Sequence, residues 1–94
     1  MTRTIERHAV DIATCSRLVD ETIERYVDWR EECAAVRASY QYWSSSEPAE
    51  SRMAFAVHNA VLDREECAAA MYAGAIGSLE RVLWPAVSRA APRY

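Results

Sequence analysis

Forty consecutive residues, Thr4 to Trp43, contain neither glycine nor proline. Within them, apolar or near-apolar side chains return at every seventh position. One row is Ile5, Ile12, Val19, Tyr26, Cys33 and Tyr40. A second, three positions on, is His8, Cys15, Thr22, Trp29, Val36 and Trp43. Two rows held through six heptads predict one long helix with a coiled-coil-like seam.

The chain then breaks at Ser44-Ser45-Ser46-Glu47-Pro48. Serine competes with helical hydrogen bonding and favours caps, and proline suits the first turn of a new helix. Ser46 or Glu47 is the expected N-cap of a second helix, with Glu47 and Glu50 set against the positive end of its dipole. Pro85 lacks an N–H and disfavours a helical Trp84, which predicts a kink or stop there. The chain therefore reads as one domain, residues 1–94. Helix one covers about 3–44, a turn about 44–48, helix two about 48–84, and a short tail 85–94.

Helix two carries two apolar stripes. Val57, Val61, Ala68, Met71, Ala75, Leu79 and Val82 form one; Phe55, Leu62, Ala69, Ile76 and Leu83, seven apart, form the other. So wide an apolar arc requires more than one neighbour. Each helix would be roughly 60 Å long, and a lone hairpin of that length encloses no core. The expected fold is all-α, an antiparallel two-helix hairpin dimerising into a four-helix bundle. Trp29, Trp43, Phe55, Leu62, Ala69, Ile76 and Leu83 are the candidate dimer interface. Small residues four apart, Ala69-Ala73-Gly77 and Ala70-Gly74, suggest a close approach of two helix backbones.

A hydrophobic content of 51% with two glycines and three prolines marks a folded, helix-rich chain. The net charge of -3 and the lack of a dense basic patch disfavour nucleic acid as a partner. No apolar run reaches the ~20 residues of a membrane span, and no signal-peptide pattern is evident. Three widely spaced cysteines, Cys15, Cys33 and Cys67, fit small buried hydrophobes in a reducing cytosol. The expected location is cytoplasmic. All eleven basic residues are arginine, which fits codon bias in a GC-rich genome such as that of an actinobacterium.

Candidate chemistry is thin. Arg30-Glu31-Glu32-Cys33-Ala34-Ala35 recurs as Arg64-Glu65-Glu66-Cys67-Ala68-Ala69, and in an antiparallel hairpin this predicts reciprocal Arg–Glu pairing. A carboxylate and thiolate metal site is the competing use, but no Glu-x-x-His of the di-metal bundles occurs. His8, Asp11 and Cys15 share a helix face as possible zinc ligands, three where a closed site needs four. His58 precedes Glu65 by seven, with no nucleophile or phosphate loop beside it. No catalytic residue, metal or cofactor is assigned. Asp20, Glu21, Glu24, Asp28, Glu31 and Glu32, interleaved with Arg17 and Arg25, read as a solvated, ion-paired face. Tyr26, Trp29, Tyr40, Tyr42, Trp43 and Phe55 gather toward the hairpin tip, where Tyr42 could contact another protein.

The hairpin organisation, the length and Trp43 just before the turn resemble the Trp-X-Gly family of type VII secretion substrates. That resemblance implies paired helical hairpins and export. The turn here reads Trp43-Ser44-Ser45, without the glycine, and the Tyr-x-x-x-Asp/Glu export signal is missing, since Tyr72 is followed by Ile76. The phrases Tyr26-Val27-Asp28-Trp29-Arg30-Glu31-Glu32-Cys33 and Ala60-Val61-Leu62-Asp63-Arg64-Glu65-Glu66 are similar to small actinobacterial helical proteins and imply no activity. The sequence thus points to a non-enzymatic, homo-oligomeric interaction or adaptor protein, with a secretion partner or a metal or redox bundle as the alternatives.

Overall fold

Helix-favouring residues free of glycine and proline run the length of α1, Thr2–Ser44, and the alanine-rich second half of the chain forms α2, Ser51–Ala90. The computed structural model describes the backbone of residues 2–90 and the side chains of residues 12–84. Ile5, His8 and Asp11, named above as seam or ligand positions, have side chains outside the described residues, as does the end of the tail, 91–94. The two helices pack side by side as an antiparallel hairpin, and the described residues contain no strand.

The turn differs from its prediction in detail. Ser46 does not cap α2. Its N–H and its hydroxyl both donate to the Trp43 carbonyl, at 3.2 and 2.8 Å. The Ser45 N–H and hydroxyl serve the Gln41 carbonyl in the same way, at 3.1 and 2.8 Å. The serines thus satisfy carbonyls left open at the end of α1. The Glu50 N–H then turns back to the Glu47 carbonyl (2.9 Å), and the Glu50 carbonyl accepts the Ala54 N–H (3.0 Å), so Glu50 is the N-cap. No described residue has a positive φ, so the turn closes without glycine.

The far end differs as well. α2 continues through Pro85 to Ala90 instead of stopping at Leu83 or Trp84. An interior proline removes one N–H from the ladder and crowds the carbonyl four residues back, which bends a helix more readily than it ends one, and Ala86 and Ala90 beyond it favour helix.

The seam follows the second of the two predicted rows. Cys15, Thr22, Trp29, Val36 and Trp43 alternate with Leu18, Arg25, Glu32 and Ser39, all half-buried or buried. These are positions a and d of the heptad. The row Ile12, Val19, Tyr26, Cys33, Tyr40 sits beside the seam at position e, and only Cys33 in it is not exposed. On α2 the seam is Ala54, His58, Val61, Glu65, Ala68, Tyr72, Ala75 and Leu79. Val57, Met71 and Val82, assigned above to its first stripe, are exposed. For Val57 and Met71 the reason is register: both fall at position g, while Glu32, His58 and Glu65 occupy seam positions where each finds a polar partner.

Close backbone approach at the glycines is not found within the hairpin. A Cβ on Gly74 would meet nothing within 4 Å, and one on Gly77 only the Arg81 guanidinium at 3.7 Å. The Cα atoms span 72 × 34 × 13 Å. Two helices packed side by side make a single layer. Only Ala54 and Ala75 are buried apolar residues among those described.

Candidate interaction surface

Two aromatic clusters hold the seam. Near its middle, Trp29 stacks on Tyr72 (5.7 Å, 18°), and Tyr26 tilts against both. The Trp29 indole donates from Nε1 to Glu65 Oε1 at 2.9 Å, which lets a carboxylate sit at an a position. At the tip, Trp43 lies between Phe55 (4.9 Å) and His58 (5.6 Å), and Tyr40 closes the group. Tyr72 was not anticipated as a packing partner. Its position seven after Glu65 on the same row was the available signal.

His58 of the tip cluster also forms a serine–histidine pair that sequence reasoning missed. Ser39 Oγ is 2.8 Å from His58 Nδ1, and it donates to the Val36 carbonyl at 3.0 Å. A hydroxyl has one proton, so both contacts are satisfied when His58 carries its hydrogen on Nδ1 and Ser39 accepts it. That arrangement is the reverse of an activated nucleophile, whose hydroxyl donates to the imidazole. Ser39 and His58 are 7% and 8% exposed, so the pair is a buried polar link between helices. Ser39→Ala should strand the imidazole N–H and cost about 1–3 kcal/mol. Denaturant unfolding checks this: an unchanged midpoint, with Ser39→Thr behaving the same, would remove the pair's structural role.

The repeated hexapeptide delivers half of the expected reciprocity. Arg64 donates to Glu32 Oε1 at 2.9 Å, while Glu32 Oε2 is occluded without a hydrogen-bond partner. Arg30 and Glu66, the reciprocal pair, are exposed and make no ion pair among the described residues. The repeats are 34 residues apart and not 35, so equivalent residues fall at different heptad positions. Arg64 reaches the seam; Arg30 lies on the outer edge. His58 and Glu65, seven apart, are each engaged by α1 and not by each other.

The two broad faces of the hairpin differ. In an antiparallel helix pair, the e and b positions of both helices project to one face and the g and c positions to the other. The g and c face carries the predicted solvated charges. Arg25 pairs with Asp28 at 4.0 Å, and a shallow groove of ≈ 370 Å³ is lined by Arg25, Asp28, Glu32, Arg64 and Met71. The opposite face joins Ile12, Val19, Tyr26, Cys33 and Tyr40 of α1 to Phe55, Leu62, Ala69, Ile76 and Leu83 of α2. Ile12 is 62% exposed, Tyr40 54% and Phe55 45%. An apolar groove of ≈ 480 Å³ opens at its far end between Ile76, Leu79, Leu83 and Trp84.

Of the seven candidate interface residues, Phe55, Leu62, Ala69, Ile76 and Leu83 lie together on this apolar face. Trp29 and Trp43 have partners inside the hairpin. At the tip, Tyr42 is half exposed. Cys15 and Cys33 are half-buried, whereas Cys67, expected inside, is exposed; all three are free thiols. Among the described residues no three histidine, cysteine, aspartate or glutamate side chains gather in a way that could hold a metal, and no helix is long and apolar enough to cross a membrane. Comparison of the chain with protein-family models, with curated proteins and with solved structures returned no match.

Proposed function

We propose that the protein is a non-enzymatic interaction module whose working form is a homodimeric four-helix bundle. The single-layer hairpin carries this reading. Domains are built from at least two packed layers, and this chain supplies one. Its accessible surface is 7721 Å², whereas a folded monomer of 10.6 kDa should expose about 5,500 Å². The excess, roughly 2,200 Å², is more than the about 800 Å² that each partner contributes to a standard interface. Each large side chain on the apolar face contributes roughly 1.5–3 kcal/mol when fully buried.

The polar groups support the same reading. The buried serine–histidine pair, the indole–carboxylate bond and the Arg64–Glu32 pair all tie α1 to α2, so their roles are structural. Light scattering on the purified chain tests the proposal. The expected mass is twice 10.6 kDa; a monodisperse monomer across the micromolar range would refute it.

A further inference from the structure

Granting that the hairpin pairs with a second copy, we infer how the two copies meet: α1 of each lies against α2 of the other, apolar face to apolar face, about a two-fold axis parallel to the helices. The register within the hairpin supplies the test of fit. Ser39 is level with His58, Glu32 with Arg64 and Trp43 with Phe55. A two-fold axis along the bundle leaves heights unchanged, so α1 of one copy meets α2 of the other in this same register.

The outer edges of the apolar face then become complementary. On α1 the b positions are Ser16, Ile23, Arg30 and Arg37; level with them on α2 are Glu80, Ala73, Glu66 and Asn59. Hydroxyl meets carboxylate, apolar meets apolar, arginine meets glutamate, and arginine meets amide. The Arg30–Glu66 contact is the half of the hexapeptide's reciprocity that the single hairpin leaves unmade. Between the edges, Tyr26 of α1 is nearly level with Ala69 of α2 and Cys33 with Leu62, so a large side chain meets a small one in each pair. The other two-fold stacking, tip to tail, sets α1 against α1. It brings Arg30 and Arg37 toward another arginine-bearing edge and Glu66 and Glu80 toward another acidic one. A second copy therefore fits this face by charge as well as by area, and the two-fold repeats each pair, as an isologous interface requires.

A mixing experiment on the full chain decides it. Arg30→Glu sets carboxylate against carboxylate at both symmetry-related contacts, and Glu66→Arg sets guanidinium against guanidinium. Each variant alone should dimerise on the order of tenfold more weakly in sedimentation equilibrium. An equimolar mixture should regain wild-type association, because the mixed dimer has opposite charges at both contacts. A pairing within one chain cannot be rescued by mixing. Glu24→Arg, an exposed site on the other face, should leave association unchanged, and far-UV circular dichroism should show equal helicity throughout. A wild-type dimer whose association neither variant weakens, or weakened variants that mixing does not restore, would overturn this arrangement while leaving dimerisation standing. A wild-type monomer would overturn both.

Discussion

Trp43→Ala should lower the thermal midpoint of the protein by roughly 10–20 °C at fixed concentration. Trp43 packs against Phe55, His58 and Tyr40 at the tip, and its removal takes a ring contact from all three. Truncating a buried tryptophan costs about 3–5 kcal/mol. Trp43 is half-buried, so about 2–3 kcal/mol is expected, and each kilocalorie shifts a domain of this size by about 4–8 °C. Tyr42→Ala, one residue away and half exposed, should change stability by no more than about 0.5 kcal/mol. Equal shifts for the two variants, read by circular dichroism, would mean that the tip cluster does not hold the hairpin together.

Trp29→Ala should destabilise by a similar or larger amount, about 3 kcal/mol, because two kinds of interaction are lost. The ring stacks on Tyr72, and the indole N–H is the donor to Glu65. Trp29→Phe separates them: it retains most of the stacking and leaves the Glu65 carboxylate without its donor, at about 1–2 kcal/mol. Replacing Glu65 by Leu in the Trp29→Phe background should recover stability, since an apolar pair is then matched. Strict additivity of the two changes in urea unfolding would show that the indole–carboxylate bond contributes nothing.

The helices, the break between them and their antiparallel packing were legible from the heptad rows of Thr4–Trp43 and the serines before Pro48. Heptad spacing depends only on helical geometry, so it survives without knowledge of the partner. The choice of seam was not legible in full. Both α1 rows contain apolar residues, and the row that completes the seam includes Arg25, Glu32 and Ser39, which by composition belong on the surface. Glu32 and Ser39 sit inside because α2 supplies Arg64 for the one and His58 for the other, pairings across 32 and 19 positions, whereas Arg25 pairs within α1 with Asp28. Cys67 was misplaced for a related reason: the hexapeptide repeat suggested equivalent settings, and the 34-residue offset rotated the second copy outward. That the five α2 residues of the candidate interface share one face was readable because they are seven apart. Trp29 and Trp43 were grouped with them by size, and their ring partners Tyr72 and Phe55 within the hairpin could not be read from size alone.

The antiparallel hairpin also orders the assembly of its own contacts in time. Trp43 meets Phe55 across 12 positions of chain, whereas Trp29 meets Tyr72 across 43. Loop closure costs about 0.6 kcal/mol more for each doubling of the loop. The mid-seam cluster is therefore roughly 1 kcal/mol harder to close from the unfolded chain than the tip. Once the tip has formed, that difference disappears, because each further turn of helix closes against one already in place. The serine-capped turn is thus where the chain can begin to zip, and the aromatic group beside it is the first tertiary contact able to repay the entropy of folding back.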